Sequence, residues 1–267
     1  MRTVAELLRL DERVAIVTGG AGHLALAIEE TLLELGARIV VSDREGAALE
    51  NRVALLRRDH SDRVVAAPAD LSDGGQPSSV IEAALERFGR LDVLVNNAAF
   101  TGASGLRGYA VPFGEQTVEA WDAALRVNLT AVFQLCRAAE PHLSKSNPGV
   151  ILNISSIYGI VGPNMSLYEG TPMGNPAAYA ASKGGLIQLT RYLATVLAPR
   201  VRVNAISPGG IEREQPAVFH DRYCDKTPLR RMAYEEDFKG AVALLVSDSG
   251  AYITGQNLVV DGGWSSW

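Results

Sequence analysis

Short runs rich in β-branched residues alternate with helical patterns along the whole chain, and no other feature limits the fold as strongly. Strands are predicted at RVAIVT (13–18), RIVVSD (38–43), RVVAAP (63–68), LDVLVN (91–96), GVILNIS (149–155), VRVNAI (201–206) and NLVVD (257–261). Their nearly continuous apolar character marks strands buried on both faces, as in a parallel sheet. Helical stretches are predicted near 22–35, 44–58, 76–88, 117–143, 178–198 and 234–247. In the fifth, Leu186, Leu189, Leu193 and Leu197 recur at helical spacing, so one face is buried. Strand–helix alternation without a linker, repeat or low-complexity tract predicts one α/β domain over 1–267, a Rossmann-like doubly wound parallel sheet of about seven strands with helices on both faces. Two segments interrupt the alternation, 158–176 (rich in Gly, Pro and Asn) and 209–232 (polar). Both follow strand C-terminal ends, the edge at which open α/β sheets bind ligands, so both are expected to be substrate loops.

The first strand runs into a glycine cluster and then an amphipathic pattern, AIVTGGAGHLALAIEETLLELG. Gly20-Ala21-Gly22-His23-Leu24-Ala25 fits G-x-G-x-x-[G/A], in which glycines let the main chain approach a pyrophosphate and the helix N-terminus supplies free N–H donors. The last position needs only a small side chain, which Ala25 provides. His23 either points to solvent or adds a donor beside the cofactor phosphates. Asp43 ends the second strand, 24 residues beyond Gly19. A carboxylate there accepts both ribose hydroxyls of NAD and repels the extra phosphate of NADP, although the neighbouring Arg44 opposes that preference. The same residue could instead cap a helix. NAD is therefore the expected cofactor, with NADP the weaker choice.

Tyr179 and Lys183 in YAASK are four apart on a predicted helix, so their side chains share a face. A phenol with pKa near ~10 is a poor acid–base catalyst at neutral pH, and a nearby ammonium favours its phenolate.

With NNAA (96–99), VNLT around Asn128, NISS (153–156), NAISPGG (204–210) and the ending YITGQNLVVDGG, these residues collectively resemble the short-chain dehydrogenase/reductase family, in its short single-domain branch, over nearly the whole chain. The resemblance implies NAD(P)-dependent hydride transfer between a secondary alcohol and a ketone. Tyr179 would be the general acid/base, Lys183 would hold the nicotinamide ribose and depress the tyrosine pKa, Ser156 would bind the substrate oxygen, and Asn128 would anchor a water linking Lys183 to solvent. It also implies a cofactor-contact set of Gly19, Gly22, His23, Leu24, Asp43, Asp70, Leu71, Asn97, Tyr179, Lys183, Pro208 and Ile211. A homo-oligomer, tetramer or dimer, is implied as well, built partly on Ala131–His142 and Leu186–Leu197. Three departures stand out. His23 and Ala25 replace two glycines of the family's common TGxxxGxG turn, the Ser156-to-Tyr179 interval is longer than usual, and Arg213 lies near the place of a threonine that holds the nicotinamide amide, a contact left to the backbone at Ile211.

The substrate is less constrained. The two loops carry Asn164, Tyr168, Glu169, Arg213, His220, Arg222, Lys226 and Arg230 with few large aliphatics, which favours a polar substrate such as a sugar, polyol or sugar phosphate over a steroid or long acyl chain. YEGTPMGNPAAYAASKGG also resembles a subgroup linked to bacterial surface-sugar biosynthesis. The alternatives are a 3-oxoacyl thioester reductase and a non-catalytic NAD-sensing protein. A net charge of −5 with no concentrated basic stripe argues against a nucleic-acid partner. Two distant cysteines, Cys136 and Cys224, exclude a disulfide framework and a thiolate metal site, so no metal is expected. Arg2, Glu6 and Arg9 break up the first residues, no stretch is long enough to span a membrane, and a cytoplasmic location is expected. Trp264 and Trp267 are expected to pack on a neighbouring subunit, over the active site, or on their own domain.

Overall fold

The β-branched runs do become strands, and helices pack on both faces of the sheet, burying β1, β4, β5 and β6 throughout. The computed structural model describes residues 1–100, 106–146 and 148–267. The strands are β1 (Val14–Thr18), β2 (Arg38–Asp43), β3 (Val64–Pro68), β4 (Val93–Asn96), β5 (Gly149–Ile154), β6 (Val201–Pro208) and β7 (Asn257–Val260). All pairings are parallel, in the order β3-β2-β1-β4-β5-β6-β7. The chain builds outward from β1 to one edge, then returns to place β4 against the free side of β1, with Ala15 opposite Val93 and Val17 opposite Val95. That reversal opens a crevice at the carboxyl ends of β1 and β4, where ligands bind in such sheets.

The helices are α1 (Val4–Leu8), α2 (His23–Glu34), α3 (Ala47–His60), α4 (Pro77–Phe88), α5 (Val118–Leu125), α6 (Ala131–Leu143), α7 (Ala177–Val196), α8 (Ala217–Lys226) and α9 (Lys239–Val246). One sheet face packs on α2, α3 and α9, through Ile28, Leu32, Leu49, Val53, Val242 and Leu245. The other packs on α4, α6 and α7, through Val80, Ile81, Leu135, Leu186 and Leu193. Each such side chain contributes roughly 1.5–3 kcal/mol when fully withdrawn from water, which is why the two apolar layers fix the register of the sheet. Leu189 and Leu197 pack against the second layer, as their spacing predicts.

Three local readings need correction, and one short helix is added. The predicted helix 117–143 is interrupted by a π-helical turn, Arg126–Thr130, that buries Asn128. Such turns occur mostly at functional sites. The loop expected over 209–232 contains α8, whose only buried members are Phe219 and Tyr223, one turn apart; an apolar stripe that narrow leaves almost no periodic signal. The stretch 234–247 begins as a 3₁₀ turn, Glu235–Phe238, before α9. Finally, α1 forms as a short helix closed by a capping box between Thr3 and Glu6.

Candidate active site

The turn after β1 is shaped by close backbone approaches. Gly19 has φ +63°, and a Cβ there would lie 2.6 Å from Ala98 Cα. The amide of Gly20 donates to Ser42 O (2.9 Å), and that of Gly22 donates to Gly19 O (3.0 Å). Asn97, just beyond β4, donates through Nδ2 to the carbonyls of Thr18 and Gly19, both at 3.1 Å. Helix α2 then starts at His23 with Gly22 as N-cap and no side-chain cap, so its first N–H groups are available to an anion. The close backbone approaches and the open helix end fit a dinucleotide pyrophosphate. The side chain of His23 is exposed, Leu24 is partly buried, and Ala25 is fully buried in the core.

Asp43 does not cap a helix: Gly46 is the N-cap of α3. Its carboxylate instead accepts from the amides of Ala21 (2.9 Å) and Arg44 (2.7 Å), which ties the end of β2 to the glycine turn. Asp70 follows β3 and accepts from Ser72 N (2.8 Å), with Leu71 buried beside it. Pro208 closes β6, and Ile211 bridges to Ala233. All of these residues stand at the carboxyl edge of the sheet.

Arg52 and Glu29 were not legible as site residues. From α3, Arg52 donates through Nη1 to Gly20 O (2.6 Å) and Glu29 Oε2 (2.8 Å), and through Nη2 to Gly22 O (3.0 Å). Glu29 is fully buried, and burial pushes its carboxyl pKa up to about 8 while Arg52 pulls it down. Its sequence signal is weak: a single charge on the apolar face that Ala25, Ile28 and Leu32 define.

Tyr179 and Lys183 do share a face of α7, with Lys183 Nζ 5.7 Å from the Tyr179 ring centre. Lys183 is buried and donates to Ile154 O (2.8 Å), while Ser155 Oγ donates to Lys183 O (2.9 Å), so the end of β5 grips α7. Ser156, the next residue, is buried and accepts from Tyr158 N (3.2 Å). Asn128 accepts from Phe100 N (2.6 Å) and donates to Ser182 Oγ (3.0 Å), which in turn donates to Tyr179 O (2.8 Å). The four residues named from sequence are thus brought together.

The electrostatics differ from expectation. Burial raises the Tyr179 pKa, with the Ser156 hydroxyl acting in the opposite direction. Burial also lowers Lys183, to about 8. Desolvation disfavours both charged forms here.

The two loops pack together. Leu167 and Tyr168 from the first meet Phe219, Tyr223 and Met232 from the second in an apolar cluster closed by Trp264. Trp264 stacks on Tyr223 with ring centres 4.4 Å apart at 10°, so it packs on its own chain. Trp267 is exposed and donates to Lys226 O (3.1 Å). Trp264→Ala is expected to cost about 3–5 kcal/mol by chemical denaturation; a loss below 1 kcal/mol would show that the stack does not hold the loops.

Of the polar loop side chains named from sequence, Arg213, Arg222, Arg230 and His220 have partners within the protein. Arg222 donates to the carbonyls of Ser166 (3.1 Å) and Glu169 (2.6 Å), Arg213 pairs with Glu235, Arg230 reaches Asp225 O (2.7 Å), and His220 Nε2 lies 3.0 Å from Glu212. Uncharged polar groups stand nearer the centre: the hydroxyls of Tyr158 and Tyr168 are 2.9 Å apart, and Asn175 Nδ2 is 3.5 Å from the latter. Among the described residues no helix is long and apolar enough to cross a membrane.

A sequence-family model described as Enoyl-(Acyl carrier protein) reductase matches residues 20–265. The chain is 34% identical over 261 residues to a cis-4-hydroxycyclohexanecarboxylate dehydrogenase of Sinomonas cyclohexanicum, covering 96% of this chain and 97% of that protein. Among solved structures, a gluconate 5-dehydrogenase from Burkholderia cenocepacia J2315 in complex with NADP and tartrate superposes with TM-score 0.84 at 30% identity, covering 99% of this chain and 100% of that one. A short chain dehydrogenase from Leptospira borgpetersenii serovar Hardjo-bovis with bound NAD+ gives TM-score 0.84 at 30% identity, covering 99% and 96%.

Proposed function

The chain belongs to the short-chain dehydrogenase/reductase family, enzymes that interconvert alcohols and ketones with a nicotinamide cofactor, and we propose that this one oxidises or forms a secondary alcohol on a polar substrate with NAD. The observation that carries the reading is the meeting of Ser156, Tyr179 and Lys183 at the carboxyl edge of the sheet, beside a glycine turn with an open helix N-terminus. When bound, the nicotinamide supplies the acceptor for the hydride that leaves the alcohol carbon. Tyr179 takes the hydroxyl proton as those electrons leave, and returns it in the reverse reaction. Ser156 donates a hydrogen bond to the substrate oxygen and stabilises its developing charge. Lys183 would hold the nicotinamide ribose and keep positive charge near the phenol, its Nζ lying 5.7 Å from the Tyr179 ring centre. Asn128, whose side chain is committed to Phe100 and Ser182, would anchor from the π-helical turn the water that passes protons from Lys183 outward.

Asp43 supports NAD: its carboxylate stands at the turn, where a second ribose phosphate would meet negative charge, and Arg52 is already engaged by carbonyls and Glu29. The hydroxyl pair of Tyr158 and Tyr168 supports a polar substrate, a sugar or polyol more than a sugar phosphate, because the loop arginines are occupied. Exposed Phe133, Tyr192 and Val196 on α6 and α7 support a homo-oligomer, dimer or tetramer, built on those helices, and we place the protein in the cytoplasm.

Nicotinamide absorbance with NAD and NADP separately, across sugars, polyols, sugar phosphates and a short 3-oxoacyl thioester, tests the reading. Turnover of the thioester alone with NADP would overturn both the cofactor and the substrate assignments; NAD binding without turnover of any of them would point to a sensor. The pH profile is a further check. Oxidation needs the phenolate of a tyrosine whose pKa is raised, so kcat/KM for alcohol oxidation should climb about tenfold per pH unit on the acid side. The climb should slacken as pH passes about 8, where Lys183 loses its charge. A flat oxidation profile from pH 6 to 9 would contradict the assigned base.

A further inference from the structure

The glycine turn is held from behind by two side chains that also hold each other. The peptide unit between Gly20 and Ala21 is gripped at both ends: its oxygen accepts from Arg52 Nη1 (2.6 Å), and its N–H donates to Asp43 Oδ2 (2.9 Å). A trans peptide is planar with C=O and N–H opposed, so fixing both ends fixes the plane. At the next unit but one, Gly22 O accepts from Arg52 Nη2 (3.0 Å), which turns the N–H of His23, the first residue of α2, away from the guanidinium and toward the open crevice side. Glu29 Oε2 holds Arg52 Nη1 at 2.8 Å, and the Arg52 side chain is only 11% exposed, so its planar fork has little freedom.

We infer that Arg52, anchored by Glu29, is a positioning residue that presets the phosphate-binding turn for the cofactor's pyrophosphate. This rests on the dinucleotide reading of that turn. A chain segment containing three glycines in four residues has unusual backbone freedom, which a ligand would otherwise have to quench on binding. Arg52 removes that freedom before the ligand arrives, by carbonyl contacts that leave the N–H groups of the helix end unused. The geometry separates this from a simple tie between α2 and α3: such a tie would need only the Glu29 contact, whereas the fork also spends its donors on three carbonyls of the turn, Gly20 O, Gly22 O and, at 3.5 Å, Ala21 O.

The test is calorimetric titration of the cofactor-free protein with ADP-ribose, which carries the pyrophosphate, and with AMP, which does not. Wild type, Arg52→Met, Arg52→Lys and Glu29→Gln are compared, each with a thermal melt. Arg52→Met should weaken ADP-ribose about ten- to a hundred-fold and AMP about threefold or less. Arg52→Lys keeps the charge and loses the fork, so it should follow Arg52→Met rather than wild type, and it keeps the test available if the methionine variant does not fold. The KM for NAD should rise by a similar factor, with kcat changing less. Variants that melt earlier yet bind ADP-ribose within twofold of wild type would reduce Arg52 to a helix tie and overturn the inference. Wild type that binds neither ligand would overturn the dinucleotide reading itself.

Discussion

Tyr179→Phe should lower kcat about 10²–10⁴-fold at saturating NAD while leaving the fold and ADP-ribose binding intact. The substitution removes one oxygen atom and no ring contact, so packing on α7 is preserved. What is lost is the group that exchanges a proton with the substrate oxygen. Lys183 is poorly placed to replace it, because its ammonium is tied to Ile154 O at 2.8 Å. Stopped assays on the best substrate of the panel, with titration of ADP-ribose in parallel, separate chemistry from binding. Retention of more than about a tenth of wild-type kcat would mean that the proton travels by another group.

Gly19→Val should abolish dinucleotide binding and destabilise the fold by about 2–5 kcal/mol, the sum of a left-handed backbone penalty and overpacking. The residue has φ +63°, and its Cβ would sit 2.6 Å from the main chain of Ala98, which cannot rotate away as a side-chain tip would. The displaced Ala98 would pull on Thr18 Oγ1, which accepts the amides of both Asn97 and Ala98 at 3.2 Å. β1 and β4 would then part at the crevice. Chemical denaturation and ADP-ribose titration read the two effects separately, and a variant with wild-type stability and binding would show that the turn is not the rigid cradle described above.

The sheet was legible because its inner strands are buried on both faces and therefore read as short apolar runs; Val14–Thr18 and Gly149–Ile154 are buried throughout. Tyr179 and Lys183 were legible for a different reason: their four-residue separation on one helix fixes their relation without reference to the rest of the fold. Arg52 and Glu29 escaped because their contact joins residues of two helices that stand 23 positions apart in sequence, and nothing local marks it. The engagement of Arg213 and Arg222 escaped for the same reason. A cation in a loop looks free until the carbonyls and carboxylates that fold around it are known. At Tyr179 the sequence shows the neighbouring charge, whereas the burial that raises its pKa appears only in the fold.

The strand order also dictates what the ribosome exposes. β1 is made first and β2 and β3 follow to one side of it, but the strand that covers its other edge, β4, emerges only after the roughly 75 residues between Thr18 and Val93 have been added. At ordinary elongation rates that interval lasts about 4–15 s. For those seconds a fully apolar strand, Val14 to Val17, has an unpaired hydrogen-bonding edge at the tip of a growing polysome. Until β4 is made, that edge is open to pairing with another chain, so edge-to-edge association competes with folding over this interval.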